Sequence, residues 1–139
     1  MVKLKKDTSK KGIGGQDMTK GEAGLRERTK RFALRIIRMF AKLPKTTEAQ
    51  ILGKQILRSG TSVGANYCEA YRGRSRAEFV AKCGDSLREL EETAYWLELL
   101  VDSSLVSAAK LAPLRQECNE LIAIFVTILK HSKAAVPTS

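Results

Sequence analysis

From Leu25 to Leu129 apolar residues recur at spacings of three and four, in four blocks separated by breaks of a few residues. That period puts the apolar side chains of each block on one stripe of an α-helix. Each stripe has to be buried, and four such helices joined by short loops bury one another in a bundle. No alternating strand pattern competes, and no internal repeat is visible. At 139 residues the chain forms one domain at most, and it can bury a core without disulfides or metal. The fold expected is all-α, an antiparallel up-down-up-down four-helix bundle over 22–132. Its helices are expected at about 22–43, 47–72, 76–102 and 108–131, with a disordered basic tail over 1–21 and a frayed tail over 133–139.

The breaks carry recognisable chemistry. Pro44 stops the first helix, whose inward face is Leu25, Phe32, Ile36, Phe40 and Leu43, widened by Ala33 and Ile37. Thr46 or Thr47 caps the second, with Glu48 in its first turn. Leu52, Ile56, Val63, Tyr67 and Ala70 keep the period there. Gly53, Gly60 and Gly64 are spaced by seven and four, so they share one side and allow a neighbouring helix to come close. Arg58, Ser62, Asn66 and Glu69 form a polar stripe that is either exposed or a satisfied buried network. Gly73 supplies a helix stop and Ser75-Arg-Ala-Glu78 a capping box that starts the third helix. The third core stripe is Phe79, Cys83, Leu87, Leu90, Ala94, Leu97 and Val101. Ser107 caps the fourth helix, and Pro113 predicts a kink or restart. From Leu121 to Leu129 the fourth helix is apolar nearly all round, which predicts burial on more than one side and hence a subunit interface.

Charge is distributed unevenly. Residues 1–45 hold 14 Lys/Arg against 4 Asp/Glu, while the remainder of the chain balances, so the whole net charge of +10 belongs to the N-terminal third. Such asymmetry suits a polyanion, nucleic acid or acidic membrane, or else a solubilising tail. Within the first helix Arg28, Arg31, Arg35, Arg38 and Lys42 fall on one stripe. This ridge is either a solvated face whose stems cover the core edge or a track for phosphates. Arg72, Arg74 and Arg76 add a basic turn between the second and third helices. The ridge and this turn are the candidate nucleic-acid-binding residues. The third helix is acidic on its outer faces and suits pairing with the basic first helix, within one chain or between chains.

Catalysis finds little support. A carboxylate di-iron bundle needs Glu-x-x-His pairs, but His131 is the single histidine and no Glu stands three residues before it. Nucleophile arrangements with Ser or Cys would also depend on His131, near a helix end. Glu89 and Glu92, one turn apart, could join Glu69 in an acidic constellation, but pairing with Arg58 or Arg88 is the simpler fate. No catalytic residue, cofactor site or metal site is assigned. Cys68, Cys83 and Cys118 are odd in number and widely spaced, as expected of small buried hydrophobes in a reducing compartment. The N-terminus lacks the apolar segment of a signal peptide, and no apolar run is long enough to span a membrane. The expectation is a soluble, non-enzymatic cytoplasmic protein.

Two segments carry a resemblance. Ile56-Leu-Arg-Ser-Gly-Thr-Ser-Val-Gly-Ala-Asn-Tyr-Cys-Glu-Ala70 and Ser86-Leu-Arg-Glu-Leu-Glu-Glu-Thr-Ala-Tyr-Trp-Leu-Glu-Leu-Leu100 are similar to the motifs of the 23S ribosomal RNA intervening-sequence protein family. The likeness covers roughly Leu25 to Lys130. It implies a left-handed antiparallel four-helix bundle that assembles as a ring-like homopentamer, with no catalytic activity. Some members are encoded within insertions in ribosomal RNA genes. A distantly similar protein, the accessory factor of diversity-generating retroelements, partners a reverse transcriptase and nucleic acid. The motif positions present here are Ser62, Asn66, Glu69, Arg88, Glu89, Glu92, Tyr95 and Trp96, for which the resemblance implies a structural role. The partners expected are other copies of the chain and RNA or DNA, or alternatively a protein partner without nucleic acid.

Overall fold

Pro44 ends the first helix as expected, since it lacks an N–H and disfavours the α region for the residue before it. In the computed structural model, which describes the backbone of residues 16–135 and the side chains of residues 24–132, α1 spans Gln16–Ala41. Its last turn tightens, with Lys42 N–H donating to Met39 O and Leu43 N–H to Phe40 O. The described helix already includes Gln16, six residues before Glu22, so part of the segment expected to be a tail, 16–21, is helical. Once a helix is nucleated, each further residue adds a hydrogen bond, and a single glycine such as Gly21 costs too little to stop it. The tail expected over 1–15 and the end of the chain from 136 lie outside the described residues.

α2 spans Thr47–Tyr71, α3 Arg76–Asp102 and α4 Ala108–Ala135. These four helices are the regular elements among the described residues, and no strand occurs there. Thr46 caps α2 through the Ala49 N–H, and Ser75 caps α3 through the Glu78 N–H at 3.1 Å. The capping box is shifted by one residue: Glu78 Oε1 accepts from the Arg74 N–H at 2.7 Å. α3 ends in a Schellman arrangement, with Leu105 N–H bonded to Leu100 O and Ser104 N–H to Val101 O. Ser104 takes the left-handed conformation this requires, at φ 63°. α4 runs through Pro113 without a restart. Pro113 and Ala109 are exposed, so solvent can serve the carbonyl that the missing N–H leaves unpaired.

Neighbours in sequence pack against each other: α1 on α2, α2 on α3, α3 on α4. α4 meets α1 more sparsely, and α1 makes no close backbone approach to α3. The glycine side of α2 faces α1, with Gly53 against Leu43 and Phe40, Gly60 against Ile36 and Gly64 against Thr29. A Cβ on Gly60 would stand 2.8 Å from Ile36 Cγ1, so the close approach depends on its absence. Phe32, Ile36, Ile56, Val63, Tyr67, Leu90, Leu97, Leu121 and Phe125 form the core, with Tyr67 and Phe125 edge to face at 5.7 Å. Ile37 falls outside it, 45 % exposed.

The core also holds hydroxyls that the apolar period did not reveal. Ser59 and Thr93 share a hydrogen bond of 2.7 Å between α2 and α3. Ser86 donates to Val63 O at 2.8 Å, and Thr29 donates to Leu25 O within α1. Each is fully buried and partnered, as the cost of an unpaired buried polar group requires. Cys83 and Cys118 are buried as small hydrophobes, whereas Cys68 is half-buried; all three are free thiols. Burial pushes the Cys118 thiol up to about 12.

Along α4, Leu121 and Phe125 are fully buried while Ala123, Val126 and Thr127 are exposed, Val126 at 40 %. The apolar-all-round segment is therefore covered on only one side by its own chain.

Candidate nucleic-acid interface

The basic ridge of α1 lies along the flank that faces α4. Its five residues do not share one fate. Arg28 reaches across to α4, where its Nε donates to Glu117 Oε2 at 2.8 Å and its terminal nitrogen to Glu117 Oε1 at 2.9 Å and Glu120 Oε1 at 2.7 Å. This fork is a charge-assisted clasp between the two helices. Hydrogen bonding to Glu117 raises the Arg28 pKa further, against the opposing pull of burial. Gln116 and then Arg28 hold the Glu120 carboxyl below its ordinary range. Arg28 thus has acidic neighbours that the local sequence, with only Glu22 and Glu27 near, does not disclose.

The remaining ridge is open. Arg31, Arg38 and Lys42 are exposed and Arg35 is half-buried. Among the described residues no carboxylate pairs with any of the four. Lys110, at the start of α4, faces the same channel as Arg35, Arg38 and Lys42 and extends the cationic surface onto a second helix. No local pattern discloses Lys110 as part of this surface, since its position depends on how α4 lies beside α1.

Arg72, Arg74 and Arg76 are exposed as well, but in another place. The turn follows Tyr71, whose ring lies 5.0 Å beneath the Arg26 guanidinium in the first half of α1. Lys42 lies at the far end of α1, beside the start of α2. At ~1.5 Å per residue, Arg26 and Lys42 are about 24 Å apart along the helix. The open ridge therefore begins at Arg31, ~7.5 Å along the axis from the level of Arg26, and runs away from the turn to Lys42, so only its Lys42 end is far from Arg72–Arg76.

The acidic face of α3 does not pair with the α1 ridge within the chain, because those helices are not neighbours. Its carboxylates bond closer partners. Arg58 on α2 holds Glu89 at 3.3 Å and also Glu92, whose carboxylate accepts from Trp96 Nε1 at 3.2 Å. Glu69 is paired with Lys82 at 2.7 Å, which lowers the Glu69 pKa and raises that of Lys82. Glu69 therefore stands apart from Glu89 and Glu92, and no cluster of His, Cys, Asp and Glu suited to a metal occurs among the described residues. Arg88 bonds Asp85, and Ser62 donates to Arg58 O at 2.7 Å; Asn66 is half-buried on the same seam. The Tyr95 ring lies beside that of Trp96, with centroids 5.3 Å apart and planes tilted by 60°, yet Tyr95 is 53 % exposed. Most of the resembling motif positions thus line the α2–α3 seam, while Arg88 and Tyr95 point outward.

No described helix is long and apolar enough to cross a membrane. A comparison with curated proteins finds no match. Among solved structures, the chain is similar to a crystal structure of a protein of unknown function from the S23 ribosomal protein family of Bacteroides thetaiotaomicron VPI-5482. The two share 34 % identity over 78 % of this chain and 97 % of that one, with a TM-score of 0.74. The family model described as 23S rRNA-intervening sequence protein matches residues 24–127. With the four helices and the paired motifs of α2 and α3, this match makes the chain a member of the 23S rRNA-intervening sequence protein family.

Proposed function

We propose that this protein is a non-enzymatic, oligomeric nucleic-acid-binding scaffold of the cytoplasm, in which the α1 ridge tracks phosphates. The observation that carries the reading is the run Arg31, Arg35, Arg38 and Lys42, unpaired among the described residues on a rigid helix and reinforced by Lys110. Cations at helical spacing on a fixed rod meet successive phosphates without reading base identity, so the binding is general for RNA or DNA and salt-dependent. The arrangement we favour is an antiparallel up-down-up-down, left-handed bundle. Support comes from contact order: Gly53, Gly60 and Gly64 meet residues of falling number on α1, and Arg58 and Glu69 do likewise on α3.

Assembly into a homopentameric ring is part of the proposal. It is supported by exposed Leu34, Ile37 and Val126, which a free monomer would leave in water. Copies of the ridge around a ring would bind one nucleic acid many times over. The alternative, a protein–protein adaptor, draws on exposed Ile51 and Tyr95, which lie away from the ridge and carry no excess of positive charge. Titration of labelled single-stranded RNA and DNA with the full chain at low salt tests the proposal. Binding that weakens steeply as salt rises supports it. Absence of binding to both at low salt overturns it and leaves the adaptor reading.

A further inference from the structure

Where α1 and α4 part, between the second half of α1 and the first turns of α4, lies a cavity of about 770 Å³. Its floor is Met39, Leu43, Leu105, Val106, Leu111 and Leu114, and its rim is Arg35, Arg38, Lys42 and Lys110. No carboxylate lines it. The connection through Leu105 to Ser107 closes one end, and beyond Arg35 and Leu114 the Arg28 clasp to Glu117 and Glu120 draws the helices together. From Arg35 to Pro44 the α1 wall is about 14 Å long at ~1.5 Å per residue. The cavity is therefore a short slot with an apolar bed and cations on both walls.

Its chemistry narrows the occupant. The volume lies within the roughly 300–1,000 Å³ of small-molecule sites. A docked partner helix would need a groove running on past the clasp. A nucleobase would find no aromatic face, and Ser107 is the one side-chain acceptor among the lining residues, so the amino and imino donors of a base would be left largely without side-chain partners. An aliphatic chain needs only the apolar bed, and an anionic head needs only the rim. We propose that this slot binds a free aliphatic anion, a hydrocarbon chain ending in a carboxylate or phosphate, with the chain along Met39, Val106 and Leu111 and the head among Arg38, Lys42 and Lys110. The ligand would share three cations with the phosphate track but would depend in addition on the apolar bed, which the track does not use.

Calorimetric titration of the full chain with laurate and with dodecyl phosphate, below their micelle concentrations, tests this. The expected result is saturable binding of one ligand per chain. Inorganic phosphate and dodecyltrimethylammonium should each bind at least about tenfold more weakly. Val106→Glu and the exposed-site variant Lys110→Glu should each weaken laurate about tenfold or more while keeping the helical circular dichroism spectrum. Equal affinity for inorganic phosphate would reduce the site to surface charge and overturn the proposal. So would unchanged laurate binding in folded Val106→Glu, or binding to anionic phospholipid vesicles with none to laurate. Laurate binding by a chain that binds no RNA supports the slot while refuting the phosphate track, and RNA binding without laurate binding does the reverse.

Discussion

Replacing Gly60 by alanine isolates the close approach of α1 and α2. In a helix interior, Gly→Ala ordinarily stabilises by about 0.5–1 kcal/mol, because alanine loses less backbone entropy on folding. At Gly60 the new Cβ would lie 2.8 Å from Ile36 Cγ1 and 3.1 Å from both Ile36 Cδ1 and Cγ2. Ile36 is fully buried and branched at Cβ, so its side chain has little room to rotate away. Overpacking of this kind costs about 1–3 kcal/mol, so the net effect is a destabilisation of about 0–2.5 kcal/mol. Gly84 on α3 is the control, since a Cβ there meets nothing within 4 Å. Gly84→Ala should keep the whole propensity gain. Thermal unfolding followed by circular dichroism should move the two midpoints in opposite directions, by a few degrees for each ~1 kcal/mol. A double-mutant cycle sharpens the test: with Ile36→Ala in place, Gly60→Ala should become stabilising, because its clash has gone. Equal upward shifts for Gly60→Ala and Gly84→Ala would refute close packing through the glycine face. So would a cycle with no coupling between positions 36 and 60.

Other perturbations probe separate parts of the fold. Ser104 adopts a left-handed conformation at the end of α3, so Ser104→Gly should raise stability by about 1 kcal/mol, read as a higher denaturation midpoint. With Cys118 fully buried and its thiol at about 12, a thiol reagent at neutral pH should modify half-buried Cys68 first and Cys118 only on unfolding. Mass spectrometry of labelled peptides reads that order. The carboxyls of Glu69 and Glu120 are held below the ordinary glutamate value of 4.5. Their contribution is therefore present above that pH and lost as pH falls through their lower folded-state values. The unfolding midpoint should drop on acidification below about pH 4.5, and Glu69→Gln with Glu120→Gln should flatten that drop.

Periodicity made the four helices legible because apolar spacing is a local property that survives without tertiary knowledge. The glycine face was legible for the same reason: spacings of seven and four fix a side of α2 before its neighbour is known. What escaped depended on contacts distant in the chain. Arg28 looked like one more free cation on the ridge, because Glu117 and Glu120 stand about ninety residues away in sequence. The Ser59–Thr93 hydrogen bond joins residues 34 apart in sequence, so no local pattern discloses it. Pro113 predicted a kink or a restart, and the helix continues through it without a restart, since an exposed carbonyl can be served by water. The apolar slot was invisible, as it arises from the parting of α1 and α4 and from no motif. The ridge itself was legible, but its separation from the Arg72–Arg76 turn required the fold.

The central claim is that the α1 ridge, and not the basic turn, carries nucleic acid. The slope of log K against log salt tests it directly, since each phosphate contact with duplex DNA contributes about −0.9. The triple variant Arg31→Ala, Arg35→Ala, Arg38→Ala should shallow the slope by about three units for each chain in contact with the duplex, while the variant Arg72→Ala, Arg74→Ala, Arg76→Ala should leave it as in the parent. A parental slope in the ridge variant, with the loss appearing in the turn variant, would contradict the account.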